Sequence, residues 1–296
     1  MLSSSCIVCG HPVDVPWLEN CLDLYLRTSF RVDYKACRHC GLVQQVPLPR
    51  DTDSFYPDYP MHQQRKIVYE IARAILHRQI YLRPTADIKN GRLLDFGCGD
   101  GSYLQSIQSH VGQVFGFEPN PSVATLTSVR LNIQIFHDIH AVATELANSI
   151  DCITAHFVLE HVLDLHQTFA LFANVLKPGG MLHAVVPNIR SWEARLFGRK
   201  WHGLDAPRHI SFPDKVSLKL LAEQHGLQLE QIRPAVFPNT LAASLASLSG
   251  HYQHKLFLMI IPLSFVLSCL APNGTRVFVM QKSLKTNGVF TKEINK

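Results

Sequence analysis

From Gly91 onward, short apolar runs alternate with longer stretches of helical spacing. The first run is Arg92-Leu-Leu-Asp95-Phe, the second Gln113-Val-Phe-Gly-Phe, the third ends at Phe136, and the fourth is Ile150-Asp-Cys-Ile-Thr-Ala-His156. This alternation predicts a parallel sheet with helices on both faces, a doubly wound α/β domain. Later segments extend it, with a helix over 216–225 and further strands over 227–232 and 275–281. Upstream the pattern differs. Residues 30–46 alternate apolar and polar positions and predict a hairpin. Across 62–82, Ile67, Ile71, Ala74, Ile75 and Ile80 recur among charged neighbours until Pro84, which predicts an amphipathic helix with a solvated basic face. Sixteen residues, 256–271, carry no charge. That run is short for a membrane span and contains Pro262, so it predicts a helical insertion packed on the core, on a second subunit or against a membrane face.

These elements divide the chain into a module over 1–60, a linking helix over 61–90 and an α/β domain over 91–296 with an apolar insertion at about 240–272. The 296 residues, 47% apolar and 17% charged, contain no low-complexity tract, which excludes disordered and fibrous classes. A net charge of +5 falls short of the concentrated basic footprint of a dedicated nucleic-acid binder. Residues 1–60 carry five Lys/Arg against seven Asp/Glu, whereas 61–92 carry seven against two. The first residues, Met1 to Cys6, have neither a basic stretch nor a long apolar one, so a cytoplasmic location is expected. Membrane association through 256–271 stays open.

Four of the eight cysteines form two copies of one knuckle, Cys6-Ile-Val-Cys9-Gly10 and Cys37-Arg-His-Cys40-Gly41. Two Cys-x-x-Cys pairs supply a tetrahedral four-sulfur site, and a segment this short gains folding energy from a structural zinc, roughly 10–16 kcal/mol. Cys6, Cys9, Cys37 and Cys40 are therefore the expected zinc ligands, with His11 and His39 beside them as possible substitutes. Phe55-Tyr56-Pro57-Asp58-Tyr59-Pro60 reads as a rigid linker or as a lid over a ligand.

The chemistry starts after the first strand, at Asp95-Phe-Gly97-Cys-Gly99-Asp-Gly101. Glycines let the backbone turn and approach a ligand, and the following helix offers its positive end. Asp95 before the turn favours a cationic ligand over a pyrophosphate. Glu118, 21 residues after Gly97, stands where an acid after the second strand accepts from ribose hydroxyls. An adenosine ligand without a pyrophosphate is implied.

Leu94-Asp95-x-Gly97-Cys98-Gly99-x-Gly101, followed by Gly116-Phe-Glu118-Pro119, resembles the class I S-adenosylmethionine-dependent methyltransferases. Ser149 to Val162 is similar to their fourth strand and its loop, and Val175-Leu-Lys177-Pro178-Gly179-Gly180 to their turn into strand five. The knuckles, Phe55-Tyr56 and the segment Trp201 to His209 are similar to a subgroup with an N-terminal zinc-binding module. The resemblance implies a mostly parallel seven-stranded Rossmann-like sheet whose last two strands form an antiparallel edge. It also implies a cradle for the methionine end of the cofactor at Asp95, Gly97, Gly99 and Gly101. Glu118 would bind the ribose and Asp138 the adenine amino group, with Ile139 packed nearby. His156 belongs with the cofactor-binding residues, and it and His161 flank the loop facing the transferred methyl.

Methyl transfer needs alignment and, for some acceptors, a base. His161, beside Glu160, and His209, in the acceptor-side loop with Asp205 and Arg208, are the candidate catalytic residues. The alternative for Glu160 and His161 is a buttressing role. The function expected is methylation of an oxygen or carbon of a small-molecule or glycan-type acceptor. An RNA base methyltransferase gripping RNA through the zinc module is disfavoured by that module's acidic excess and by the lack of Asn-Pro-Pro-Tyr after strand four. A non-catalytic scaffold that binds S-adenosylmethionine is the third reading.

Overall fold

A computed structural model describes residues 5–52, 55, 88–249, 252–272 and 274–284. The expected linker over 56–60 and the helix over 62–82 lie outside the described residues.

The central sheet has seven strands. In chain order they are β4 (Arg92–Phe96), β5 (Gln113–Phe117), β6 (Ile135–Phe136), β7 (Ile150–His156), β8 (Leu176–Pro187), β10 (Leu227–Ala235) and β11 (Thr275–Lys282). Their order across the sheet is β10-β11-β8-β7-β4-β5-β6. β4, β5, β6, β7 and β8 run parallel, and β11 runs antiparallel to both β8 and β10. The reversal is thus confined to one strand inserted between two others. Helices α1 (Ser102–Ile107), α2 (Pro121–Leu131), α3 (Ile139–Glu145), α4 (Leu165–Val175), α5 (Trp192–Phe197) and α6 (Lys215–Gln224) connect the strands.

The two-residue period of β4 explains why the sheet is covered on both faces. Leu94 and Phe96 point into a core with Val142 of α3 and Phe169 and Phe172 of α4. Leu93 points the other way, toward Leu104 and Ile107 of α1. Polar side chains close the helix starts: Asn120 caps α2, and Asp214 forms a reciprocal capping box with Ser217 on α6.

A second sheet is built from β1 (Val13–Leu22), β2 (Arg31–Cys37), β3 (Val43–Val46) and β9 (Ser211–Phe212), in that order. The expected hairpin is β2 and β3, antiparallel with Asp33 opposite Val46. Its fourth strand comes from beyond β8, so this sheet is joined to the segment that carries His209. Tyr34 and Val43 bury against Trp201, Leu204 and Phe212.

The charge-free stretch folds as α8 (His254–Leu270), which packs on α7 (Pro238–Ala246). Phe257, Ser264 and Ser268 are its buried positions, whereas Leu258, Met259, Leu263, Val266 and Leu270 are exposed. The helix therefore presents apolar side chains outward. Among the described residues no helix is long and apolar enough to cross a membrane.

Candidate active site

The turn after β4 is closed on one side and open on the other. Gly97 and Gly99 have φ of +78° and +53°, in the left-handed region that glycine enters without strain. The amides of Gly97 and Cys98 both donate to the carbonyl of Phe117 at the end of β5, 2.8 and 2.9 Å away. A Cβ on Gly97 would meet Val158 Cγ2 at 2.5 Å, but one on Gly99 would meet nothing within 4 Å. The backbone at Gly99 faces open space into which a ligand can come close.

Two acids border that space. Glu118 directly follows β5; its Oε2 accepts from the Gly99 amide and its Oε1 from the Asn120 amide, each at 3.0 Å. Asp95 is buried and its Oδ1 accepts from Thr154 Oγ1 at 2.8 Å, across the β4–β7 pairing that sets these two residues side by side. Burial, reinforced by the negative charge of Glu118, pushes the Asp95 carboxyl up to about 7. A cationic ligand would relieve both effects, so the acids suit a sulfonium and an ammonium group.

A family model described as "Methyltransferase domain" matches residues 62–232, more than half of the chain. The chain belongs to the methyltransferase-domain family. Among curated relatives, a ubiquinone biosynthesis O-methyltransferase of Xanthomonas oryzae is 32% identical over 108 residues, covering 34% of this chain and 45% of the relative. Its counterpart in Xanthomonas axonopodis is 30% identical over 136 residues, covering 44% and 53%. The chain thus matches about half the length of these relatives. A putative sarcosine dimethylglycine methyltransferase from Galdieria sulphuraria superposes with a TM-score of 0.50 at 16% identity, over 77% of this chain and 91% of that one. Phosphoethanolamine N-methyltransferase 2 of Haemonchus contortus, in complex with S-adenosyl-L-methionine, gives 0.50 at 16% identity over 72% and 52%. At such identities the structures share the fold.

In this methyltransferase-domain chain the expected cofactor residues gather along the carboxyl edge of the sheet. Asp95 is the penultimate residue of β4, Gly97, Gly99 and Gly101 follow the strand, and Gly101 caps α1. Asp138 and Ile139 follow β6. Asp138 is exposed and its Oδ1 accepts from the His140 amide at 2.9 Å, capping α3, while Ile139 is half-buried against the core. His156 ends β7 with its ring edge-on to Tyr103, the centroids 4.7 Å apart. Thr154, the partner of Asp95, carries no motif signal and was not foreseen from the sequence.

The loop after β7 leads to the second group of candidate residues, His161 and His209. Phe157 holds φ +57°, strained for a residue with a bulky side chain, and the turn Leu159–His161 follows. Glu160 is fully buried, and burial pushes its carboxyl up to about 8. His161 and His209 meet edge to face, 4.6 Å between centroids, and His209 Nε2 lies 3.9 Å from Glu160 Oε1. Burial and then the neighbouring His161 bring His209 down to about 3, so its imidazole is neutral at ordinary pH. The structure thus brings His161 and His209, 48 positions apart by their numbers, into one cluster.

Arg208 sits beneath them, fully buried. Its guanidinium holds Asp23 of the N-terminal module at 2.8 and 3.0 Å and Asp205 at 2.7 Å. Burial opposes the charge of Asp205, but His209 and Arg208 outweigh it and hold the carboxyl at about 2. The carbonyl of His209 accepts from Tyr34 Oη at 2.8 Å and Gln45 Nε2 at 3.2 Å. Asp23, Tyr34 and Gln45 were not singled out by the sequence, because their partners lie more than 160 residues away.

The four knuckle cysteines converge. Cys6 Sγ lies 3.4 Å from Cys40 Sγ, Cys9 Sγ lies 3.5 Å from Cys37 Sγ, and one sulfur from each fits within 4.8 Å of the others. A tetrahedral zinc with Zn–S of about 2.3 Å places sulfurs about 3.8 Å apart, a spacing that falls within the range of this set. His11 and His39 stack on each other, ring centroids 3.9 Å apart.

Proposed function

We propose that this protein is an S-adenosylmethionine-dependent methyltransferase acting on an oxygen or carbon of a small-molecule or glycan-type acceptor, with a structural zinc at Cys6, Cys9, Cys37 and Cys40. The observation that carries the reading is the bond from the Gly99 amide to Glu118 Oε2 at the mouth of an open glycine turn. It fixes an acid at the end of β5 beside an open stretch of backbone, which supports a role in accepting from a ribose. The O-methyltransferase name of the Xanthomonas relatives favours oxygen as the acceptor atom.

The cofactor supplies an electrophilic methyl group on a sulfonium. The chain's contribution is alignment, which in well-oriented reactions is worth roughly 7–11 kcal/mol of barrier. Asp95, set by Thr154, would hold the ammonium end, and Gly97 and Gly99 would let the backbone lie against it. Glu118 would accept from the ribose, and Asp138 with Ile139 would receive the adenine. His156 would wall the pocket next to Tyr103. His161 and His209 would face the acceptor, in a loop held by Arg208, Asp205 and the N-terminal module.

The test is transfer of labelled methyl from S-adenosylmethionine to a panel of hydroxylated aromatics, glycosides and nucleotide sugars. Label on at least one acceptor, lost in Asp95→Ala, is expected. Retention of full binding and turnover by Asp95→Ala and Glu118→Ala would overturn the assignment.

A further inference from the structure

Helix α8 is built the wrong way round for a helix facing water. Ser264 and Ser268 turn inward, 0% and 2% exposed, while Met259 and Leu270, each 78% exposed, stand outward with Leu258, Leu263 and Val266. A surface helix of a water-soluble protein buries its large apolar side chains and gives its polar ones to solvent. At about 100° per residue, Leu258 and Leu267 mark the two sides of an outward face that spans about half of the helix circumference. A contiguous exposed face of this kind marks a surface that another apolar phase covers.

Its width favours lipid over protein. A partner helix seats on a stripe roughly 100° wide with polar residues along its borders. Here the borders are themselves apolar, and a lipid surface covers a whole outward half at once. The 17 residues of α8 are about 26 Å long, short of the roughly 30 Å hydrocarbon core, so the helix suits lying along a bilayer and not across it.

The charge around the helix is of one sign. No aspartate or glutamate occurs between Glu230 and Glu293, whereas Arg233, Lys255, Arg276 and Lys282 do, and Lys255 is exposed in the first turn of α8. The segment from α5 to Lys200 lies against both ends of the helix pair. Trp192 Nε1 donates to the Ala271 carbonyl at 3.2 Å, just past α8, and Lys200 Nζ donates to the Leu248 carbonyl at 2.8 Å, just past α7. Arg195 and Lys200 are exposed there, together with Leu196. The one acid of that segment, Glu193, is buried and accepts from Thr240 Oγ1 at 3.1 Å. A tryptophan and a set of cations beside an outward apolar helix are the side chains that a membrane interface with anionic headgroups selects.

We propose that α8 lies along the interface of an anionic phospholipid bilayer, its outward face among the acyl chains and Lys255, Arg195 and Lys200 at the headgroups. Such binding does not depend on the methyltransferase reading. β10 ends at Ala235 and β11 begins at Thr275, which pairs with both Ala235 and Pro187. The helix pair therefore springs from the edge of the sheet that carries the glycine turn. Phe237, before α7, meets Phe157 of the loop after β7 with ring centroids 4.8 Å apart.

The experiment is flotation of the full chain, without detergent, on vesicles of equal parts phosphatidylcholine and phosphatidylglycerol and on vesicles of phosphatidylcholine alone. Binding to the anionic vesicles is expected, about tenfold or more above that to the neutral ones. Met259→Glu combined with Leu270→Glu leaves the packed stripe intact and is expected to weaken binding by about tenfold or more, with thermal denaturation confirming that the variant is folded. In the parent, a fluorophore on Cys269, the exposed cysteine, is expected to be quenched by brominated acyl chains. No binding by the parent, equal binding to both kinds of vesicle, equal binding by the folded variant, or binding without quenching overturns the proposal. Light scattering in the absence of lipid tests the rival partner: a dimer that the double variant dissolves, with no lipid binding by the parent, assigns the face to a second copy of the chain and overturns the bilayer.

Discussion

Asp23 and Arg208, 185 positions apart in the chain, meet in a fully buried bidentate pair whose N···O distances are 2.8 and 3.0 Å. Through that pair the N-terminal sheet is tied to the segment that carries His209, one of the candidate site residues. Tyr34 and Gln45 add to it by donating to the carbonyl of His209, the residue after Arg208.

Removing one member of this pair leaves the other charge stranded. Asp23→Ala is expected to lower the free energy of unfolding by about 3–5 kcal/mol, and Asp23→Asn, which still accepts a hydrogen bond, by less. Urea denaturation of the three proteins checks the order. A loss under about 1 kcal/mol in Asp23→Ala would show that the pair does not anchor the module.

The two glycines of the turn separate folding from binding. Gly97→Ala meets Val158 and a positive φ together, so it should be destabilised by several kcal/mol. Gly99→Ala meets open space and incurs only the left-handed backbone cost, about 1–2 kcal/mol. It should still fold, yet weaken S-adenosylmethionine by about tenfold or more because the new methyl occupies the ligand's side of the turn. Thermal denaturation paired with calorimetry reads both; a Gly99→Ala protein with unaltered affinity would place the cofactor elsewhere.

Asp95 gives the protein a defined pH response. Its folded pKa of about 7 lies above the ordinary carboxylate value near 4, so its contribution to stability is intact below pH 4 and is lost as pH rises through 7. Asp95→Asn should therefore be more stable than the parent at pH 8, by a few kcal/mol at most, with no advantage at pH 4. Cofactor affinity of the parent should rise between pH 6 and 8 as the carboxylate ionises, and that rise should vanish in Asp95→Asn. Parallel stability curves for the two proteins across this range would contradict the buried-acid account.

Zinc removal should reach beyond the knuckles. Chelation is expected to loosen the loops that hold β1 and β2 and, through Asp23, Tyr34 and Gln45, the 201–212 loop as well. Limited proteolysis or amide exchange is expected to show deprotection at both places after chelation, with about one zinc released per chain. Unchanged exchange at 201–212 would mean that the module and the site are uncoupled.

The parts of the fold legible in the sequence are those set by local pattern. β4, the glycine turn and β5 stand out because Leu93 and Leu94 feed opposite faces of a buried strand and glycine follows. The knuckles stand out because their spacing is repeated. β9 is two residues long, too short for any period, and its joining to β3 is a long-range event that neither segment signals. In the same way the charge-free stretch announced a helix, but not that Ser264 and Ser268 would turn inward and its leucines outward. At the site, Asp95 and Glu118 carried their own motif. The environment of Glu160, buried with His209 3.9 Å away, exists only once β7, the 201–209 loop and the N-terminal sheet have come together.

The measurement that bears most directly on the central claim is calorimetric titration of the purified chain and of Glu118→Ala with S-adenosylmethionine and S-adenosylhomocysteine. The account predicts one site per chain for both ligands. It also predicts a loss of about tenfold or more in Glu118→Ala, the share of a charged hydrogen bond to ribose, with zinc content unchanged. Absence of binding by the folded parent, or equal affinity in the variant, would contradict it.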